Sequence, residues 1–163
     1  KHSAKMMGVC YRYVKDSDEA EDVMISAFAK VFEKLDSFRF EGSFEGWLRR
    51  IMVNESLMYL RRNKSMYVEV EIEKADREPD FSQLSDQLEA DDLMAMIQEL
   101  PVGYRTVFNL YAIEGFSHQE IAEMMQISEG TSKSQLSRAR ALLQKQLLEQ
   151  EKKMNDKTGS HEH

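Results

Sequence analysis

Apolar residues recur at three- and four-residue steps on both sides of a long acidic stretch, and that stretch itself breaks the rhythm. Ala20, Val23, Met24, Ala27, Phe28, Val31, Phe32 and Leu35 form one such series, the repeat that gathers side chains on one face of an α-helix. Asp18, Glu19, Glu21 and Asp22 crowd its first turn, where the helix dipole favours anions. Asp36 and Ser37 end it. A second helix is expected from Phe44 to about Asn63, with Ser43 as its N-cap. Trp47, Leu48, Ile51, Met52, Met58 and Tyr59 make its main stripe. Val53, Leu57 and Leu60 add apolar surface on the other side, so this helix should pack between neighbours. With only 2 prolines and 7 glycines in 163 residues, the pattern predicts an all-α chain.

Between Met66 and Asp92, ten acidic residues stand against two basic ones. That stretch carries −8, and the remainder +1, of a formal net charge of −7. The acidity is therefore local and does not exclude a nucleic-acid partner. Pro79 lies within it, and Val68 to Glu73 alternates with the period of a strand. A lone strand has no partner in a helical chain, so an extended acidic linker is expected over residues 64–90. It would hold apart two small helical domains, 1–63 and 91–150. A disordered tail is expected over 151–163.

Several function classes drop out. No run of about 18 apolar residues offers a membrane span, and no secretory signal is visible. The lone Cys10 allows no intramolecular disulfide and reads as a buried thiol, so the cytoplasm is the expected compartment. The histidines, His2, His118, His161 and His163, lack metal-ligand spacing on a helix, and His118 is expected at the surface. No glycine-rich phosphate loop or nucleophile–base pair stands out. Neither enzymatic activity nor a cofactor, metal or small-molecule substrate is expected.

The segment after the linker is the most informative. Asp92 to Leu100 reads as a helix stopping before Pro101, and Tyr104 to Ile113 as another ending near Gly115. Ser117 and Glu120 have the spacing of a capping box. The short helix they open carries Ile121, Ala122 and Met125, with Ile127 in the turn that follows. Ser128 then caps a helix running to about Gln150. This is the layout of a helix-turn-helix, whose second helix enters the major groove. Ser132, Leu136, Ala139 and Leu143 fall within about 60° of one another on the helical wheel and face the core. Gly130, Lys133, Ser134, Ser137 and Arg138 lie on the other side, small enough for close approach and cationic enough for phosphates or guanine edges.

Leu100-Pro101, Glu114-Gly115-Phe116-Ser117, Glu120-Ile121-Ala122, Gly130-Thr131 and Ser137-Arg138-Ala139-Arg140 together resemble the fourth domain of extracytoplasmic-function (ECF) sigma factors. The first half resembles their second domain still more closely, through Tyr11-Arg12-Tyr13, Ala20-Glu21-Asp22-Val23, Ala27-Phe28, Leu35-Asp36-Ser37-Phe38-Arg39 and the run Phe44 to Asn54. The resemblance implies a promoter-recognition subunit of RNA polymerase, with core polymerase and promoter DNA as partners. Thr131, Lys133, Ser134, Ser137 and Arg138 would read the minus-thirty-five element. Arg49, Arg50, Asn54, Arg61 and Arg62 would hold the minus-ten element, with Asn54 the base reader. Arg50 to Arg62 spans about 18 Å of helix, enough to follow several phosphates. Trp47 and Tyr59 lie on the apolar stripe and are expected to pack in the core rather than stack on bases.

Asp22, Ile25, Ser26, Ala29 and Glu33 would form the polymerase dock. Ile25 stands where the family commonly has glutamine, which implies a partly apolar dock. Ser132 replaces a usual aliphatic residue and should loosen the recognition helix. Gln135 and Tyr111 stand where arginines occur in the family, so no promoter sequence carries over. The resemblance also implies a further helix before Lys1, absent from this chain, and a membrane-anchored anti-sigma factor as a partner. The competing reading of the residues is a stand-alone helix-turn-helix regulator that binds a symmetric operator without polymerase.

Overall fold

The computed structural model describes residues 1–63 and 90–159. The linker of 64–90, apart from Ala90, and the last four tail residues lie outside the described residues.

Three helices build the N-terminal half. Helix α1, Ser3–Tyr13, buries Met6, Val9, Cys10 and Tyr13 at three- and four-residue steps. The sequence reading did not name this helix, although its apolar spacing is regular. Helix α2, Ser17–Lys34, starts at Asp16, whose carboxylate accepts the Glu19 amide at 3.0 Å. A 3₁₀ turn, Leu35–Ser37, ends it. Helix α3, Phe44–Arg62, is capped by Ser43, whose Oγ accepts the Gly46 amide. The three helices pack on one another.

Two expectations about their faces need correction. In α2 the buried line is Ala20, Val23, Ala27 and Val31, while Phe32 is 75% and Leu35 47% exposed. One helical step of about 100° separates Val31 from Phe32, and that step turns the ring out of the core. In α3 the deep line is Leu48, Met52, Val53, Ser56, Leu57 and Leu60. Trp47, Ile51 and Tyr59 are only partly buried against it. The core side draws Leu48 and Met52 from the expected main stripe and Val53, Leu57 and Leu60 from the other, and α3 packs on both α1 and α2.

The C-terminal half opens with α4, Ala90–Gln98, and α5, Val102–Phe108, which continues into a π-helical turn, Asn109–Ile113. Gly115, at φ +78°, allows the chain to leave that turn in a conformation that costs glycine little. Helix α6, His118–Met125, carries the expected capping box between Ser117 and Glu120. Gln126 turns the chain in the left-handed region at φ +57°. Helix α7, Glu129–Gly159, follows, with the Ser128 hydroxyl accepting the Thr131 amide at 3.0 Å. Ser132, Leu136, Ala139 and Leu143 are buried, as the wheel predicted. The helix continues through 151–159, which corrects the expected disordered tail there. Lysine, glutamate and glutamine are good helix formers, and adding residues to an existing helix avoids the cost of nucleation. No helix among the described residues is long and apolar enough to cross a membrane.

The halves are not held apart. The last carbonyls of α1, on Tyr11, Arg12 and Tyr13, accept hydrogen bonds from Gln98, Asn109 and Arg105 of the C-terminal half, each at 3.0 Å. A helix end leaves such carbonyls without intrahelical donors, so the second half completes α1. Arg105 is 4% exposed and also donates to the Gln98 carbonyl at 3.1 Å. Burial lowers its pKa from the ordinary value, with Glu99 acting weakly the other way. The negative end of the α1 dipole is a favourable place for this cation.

Candidate nucleic-acid interface

Two cationic surfaces emerge, one on each half. On α7 the first three turns present Lys133, Ser134 and Arg138 to solvent, with Thr131 and Ser137 partly exposed. Thr131 Oγ1 lies 2.8 Å from Ser128 Oγ, and Ser134 donates to the Thr131 carbonyl. Lys133 sits 3.6 Å from Glu129, an exposed pair one turn apart that water and salt screen. No ion pair among the described residues engages Arg138. A Cβ placed on Gly130 would meet only Ser128 Oγ, at 3.9 Å, an ordinary van der Waals contact.

The recognition helix is held from behind by a polar contact. Ser132 is fully buried, and its Oγ lies 2.8 Å from His118 Nδ1. The His118 ring stacks on Tyr111, with centroids 4.6 Å apart. His118 is therefore half-buried rather than at the surface. The hydrogen bond supplies the contact that a serine in an aliphatic position lacks, so the expected loosening is offset. Burial first, then Lys133, holds His118 below its ordinary value of 6.5, while Glu129 pulls it up. The unfolded chain then takes up a proton more readily than the folded one. Stability from neutral His118 is fully present above pH 6.5 and falls as the pH drops below that value. A thermal midpoint compared at neutral and mildly acidic pH should fall less for His118→Gln than for the wild type. Equal falls in the two proteins would show that His118 does not contribute.

On α3 the basic residues divide by environment. Arg49 makes a bidentate pair with Glu114, Nε to Oε2 and Nη2 to Oε1, both 2.7 Å. The guanidinium of Arg50 lies 5.9 Å from the Phe116 ring centroid. Arg61 donates to the Met124 carbonyl at 3.2 Å. The structure thus brings Arg49, Arg50 and Arg61 against the C-terminal half. Asn54 and Arg62 stay exposed. Asn54 borders a cleft of about 400 Å³ between α2, α3 and α6, lined also by Lys30, Lys34 and Arg61.

An aromatic group beside α3 went unnoticed in the sequence as a unit. Phe38 contacts Phe40, Phe44 and Trp47 at centroid distances of 5.1, 5.4 and 5.2 Å. Phe40 is 88% exposed at φ +56°, a conformation that costs a residue with a Cβ about 1–2 kcal/mol. Trp47 belongs to this group and is only partly buried. The density of phenylalanines between Phe38 and Phe44 was the available signal.

On α2, Asp22, Ile25, Ser26, Ala29 and Glu33 are all exposed. Ile25 is 58% exposed, and with Ala29 and Phe32 it makes an outward apolar line at four- and three-residue steps. Phe32 was missed because its spacing also fits the buried stripe.

The chain is similar to proteins of one kind along most of its length. A family model for Sigma-70 region 2 matches residues 1–66, and one for Sigma-70, region 4, matches 90–143. The RNA polymerase sigma-H factor of Pseudomonas aeruginosa is 34% identical over 160 residues, covering 90% of this chain and 82% of that protein. The ECF RNA polymerase sigma factor SigW of Bacillus subtilis is 33% identical over 155 residues, covering 88% and 83%. Among solved structures, the sigma factor RpoE from Bartonella quintana, co-crystallised with the anti-sigma factor NepR, aligns with a TM-score of 0.55. It shares 26% identity and covers 88% of this chain and 90% of that one.

Proposed function

The chain belongs to the ECF RNA polymerase sigma factors, and from that premise we infer which of its residues carry each step of promoter recognition. Its function is to bind core RNA polymerase, direct it to promoters and initiate transcription there. Residues 1–63 act as sigma domain two and 91–150 as domain four, joined by the acidic linker 64–90. The spans of the two family matches support this division.

Thr131, Lys133, Ser134, Ser137 and Arg138 read the minus-thirty-five duplex. The single observation that carries this part is the exposed, small-polar and cationic face on a helix capped and latched by its helix-turn-helix partner. Arg49, Arg50, Asn54, Arg61 and Arg62 hold the minus-ten element. Phe40 adds a surface for stacking an unpaired base, and its exposed ring, carried on a strained backbone, supports that role. Asp22, Ile25, Ser26, Ala29 and Glu33, extended by Phe32, dock on the polymerase.

Phosphodiester chemistry stays with the polymerase, and the protein works in the cytoplasm beside it. An anti-sigma partner belongs to this reading, supported by the similarity to RpoE, which was crystallised with NepR. Membrane anchorage of such a partner rests on the family resemblance alone. A stand-alone regulator has no use for a sigma region 2, and the match over residues 1–66 weighs against that alternative.

In vitro transcription with core polymerase tests the assignment. Promoter-dependent transcripts are expected only when the chain is added. Their absence, from a folded chain that binds core, would remove it.

A further inference from the structure

We propose that His118 couples a proton to DNA binding: tied behind the recognition helix, its ring takes up a proton when duplex phosphates reach Lys133, so the α7 face grips DNA more tightly in mild acid. The inference rests on the assignment of that face to the minus-thirty-five element.

The ring is held from two directions. Nδ1 lies 2.8 Å from Ser132 Oγ, and the ring stacks on Tyr111 with centroids 4.6 Å apart and planes 19° from parallel. Ser132 is fully buried, and His118 is the one partner of its hydroxyl among the described residues. A hydroxyl can give its proton to the neutral ring or accept one from the charged ring, so the tie serves both protonation states. His118 therefore gains charge without leaving its half-buried place. A histidine free to swing into solvent would feel little of what binds to α7.

That place lies directly behind a DNA-facing cation. Ser132 immediately precedes Lys133, whose side chain is 62% exposed. From α7, Lys133 and Arg140 oppose a charge on the ring, and Glu129 favours it. From the π-helical turn the ring meets Tyr111, with the Arg140 guanidinium 5.8 Å from the same tyrosine centroid. On α6 itself, Glu120 is engaged by the Ser117 cap. Two cations thus stand against one carboxylate, and that carboxylate is shared with Lys133 at 3.6 Å. Burial adds to the same bias, so the free chain keeps the ring neutral at neutral pH.

A duplex reverses this field. It carries one negative charge about every 1.7 Å along its axis, which offsets Lys133 and favours the imidazolium behind it. Linkage is reciprocal, so the factor by which DNA favours protonation is the factor by which protonation favours DNA. Affinity is lowest above the titration midpoint of bound His118. It rises as the pH falls through that midpoint and levels off below the midpoint of the free chain.

Two measurements decide. In the first, a short fluorescein-labelled duplex of random sequence is titrated with wild-type, His118→Gln and Lys133→Gln chains at fixed salt, from neutral to mildly acidic pH. Circular dichroism checks folding at each pH. Glutamine keeps a polar group for Ser132 but does not titrate. On acidification the wild type is expected to gain about tenfold more affinity than His118→Gln, equivalent to a rise of about one unit in the His118 midpoint. In the second, NMR follows the His118 ring of the wild type through a pH titration with and without that duplex, and DNA should move the midpoint up by about one unit. A histidine that only supports the fold would change affinity alike at every pH and keep one midpoint.

Parallel pH profiles for wild type and His118→Gln, or an unmoved midpoint, would overturn the coupling. A loss of affinity in Lys133→Gln would in that case leave the assignment of the α7 face standing. No loss in Lys133→Gln at any pH would sink the assignment and the coupling together.

Discussion

Replacing Phe32 by alanine is expected to weaken binding to core RNA polymerase by about 2 kcal/mol, roughly thirtyfold, without lowering the thermal midpoint of the free chain. Phe32 is 75% exposed on α2, between the buried line of Ala20, Val23, Ala27 and Val31 and the outward line of Ile25 and Ala29. A large aromatic ring left in water makes no stabilising contact in the free fold, so its removal costs the fold little. At the centre of an interface the same ring would be desolvated and become a dominant anchor. Titration against core enzyme separates the two roles. A loss of thermal stability with unchanged polymerase affinity would assign Phe32 to the bundle, and the dock would have to lie on another face.

The second large effect is expected at Arg138. If its guanidinium pairs with a base edge, Arg138→Ala should cost about 1–3 kcal/mol on the cognate minus-thirty-five duplex and relax preference at one position. If it touches phosphate alone, binding should weaken evenly across sequences, and the dependence on salt should flatten by about 0.9 in logarithmic slope. The first outcome is favoured. Arg138 lies on the outward face, with Ser134 and Ser137 beside it small enough for the helix to sit deep in the groove. Titrations of specific and random duplex at several salt concentrations distinguish the cases. Unchanged binding to both would remove Arg138 from the site.

Legibility in the sequence followed the range of the interactions. The capping box of Ser117 and Glu120 lies within four residues and reads the same in both descriptions. Ser43 and Ser128, which cap the starts of α3 and α7, were equally visible. Helix α1 escaped the reading although Met6, Val9, Cys10 and Tyr13 have regular spacing. It is short, and Gly8 weakens its signal. The faces of α2 and α3 were harder. Both helices carry apolar residues on more than one side, and periodicity does not say which side meets a neighbour. Phe32 was misplaced for that reason, while Trp47 packs against the core as expected but only in part. His118 was read as a surface residue and Ser132, separately, as a loosening substitution, when the two are partners 14 positions apart.

By itself the sequence determined the all-helical class, the helix-turn-helix and the outward cationic face of its second helix, since caps and apolar steps act over a few neighbouring residues. Only the tertiary structure decided that the halves touch, that Arg49 spends its donors on Glu114 and that Arg105 completes α1. Those partners lie 65 and 92 positions apart in the chain. A guanidinium suits a carboxylate, a carbonyl or a phosphate alike, so residue type leaves its partner open, and proximity in space selects among them.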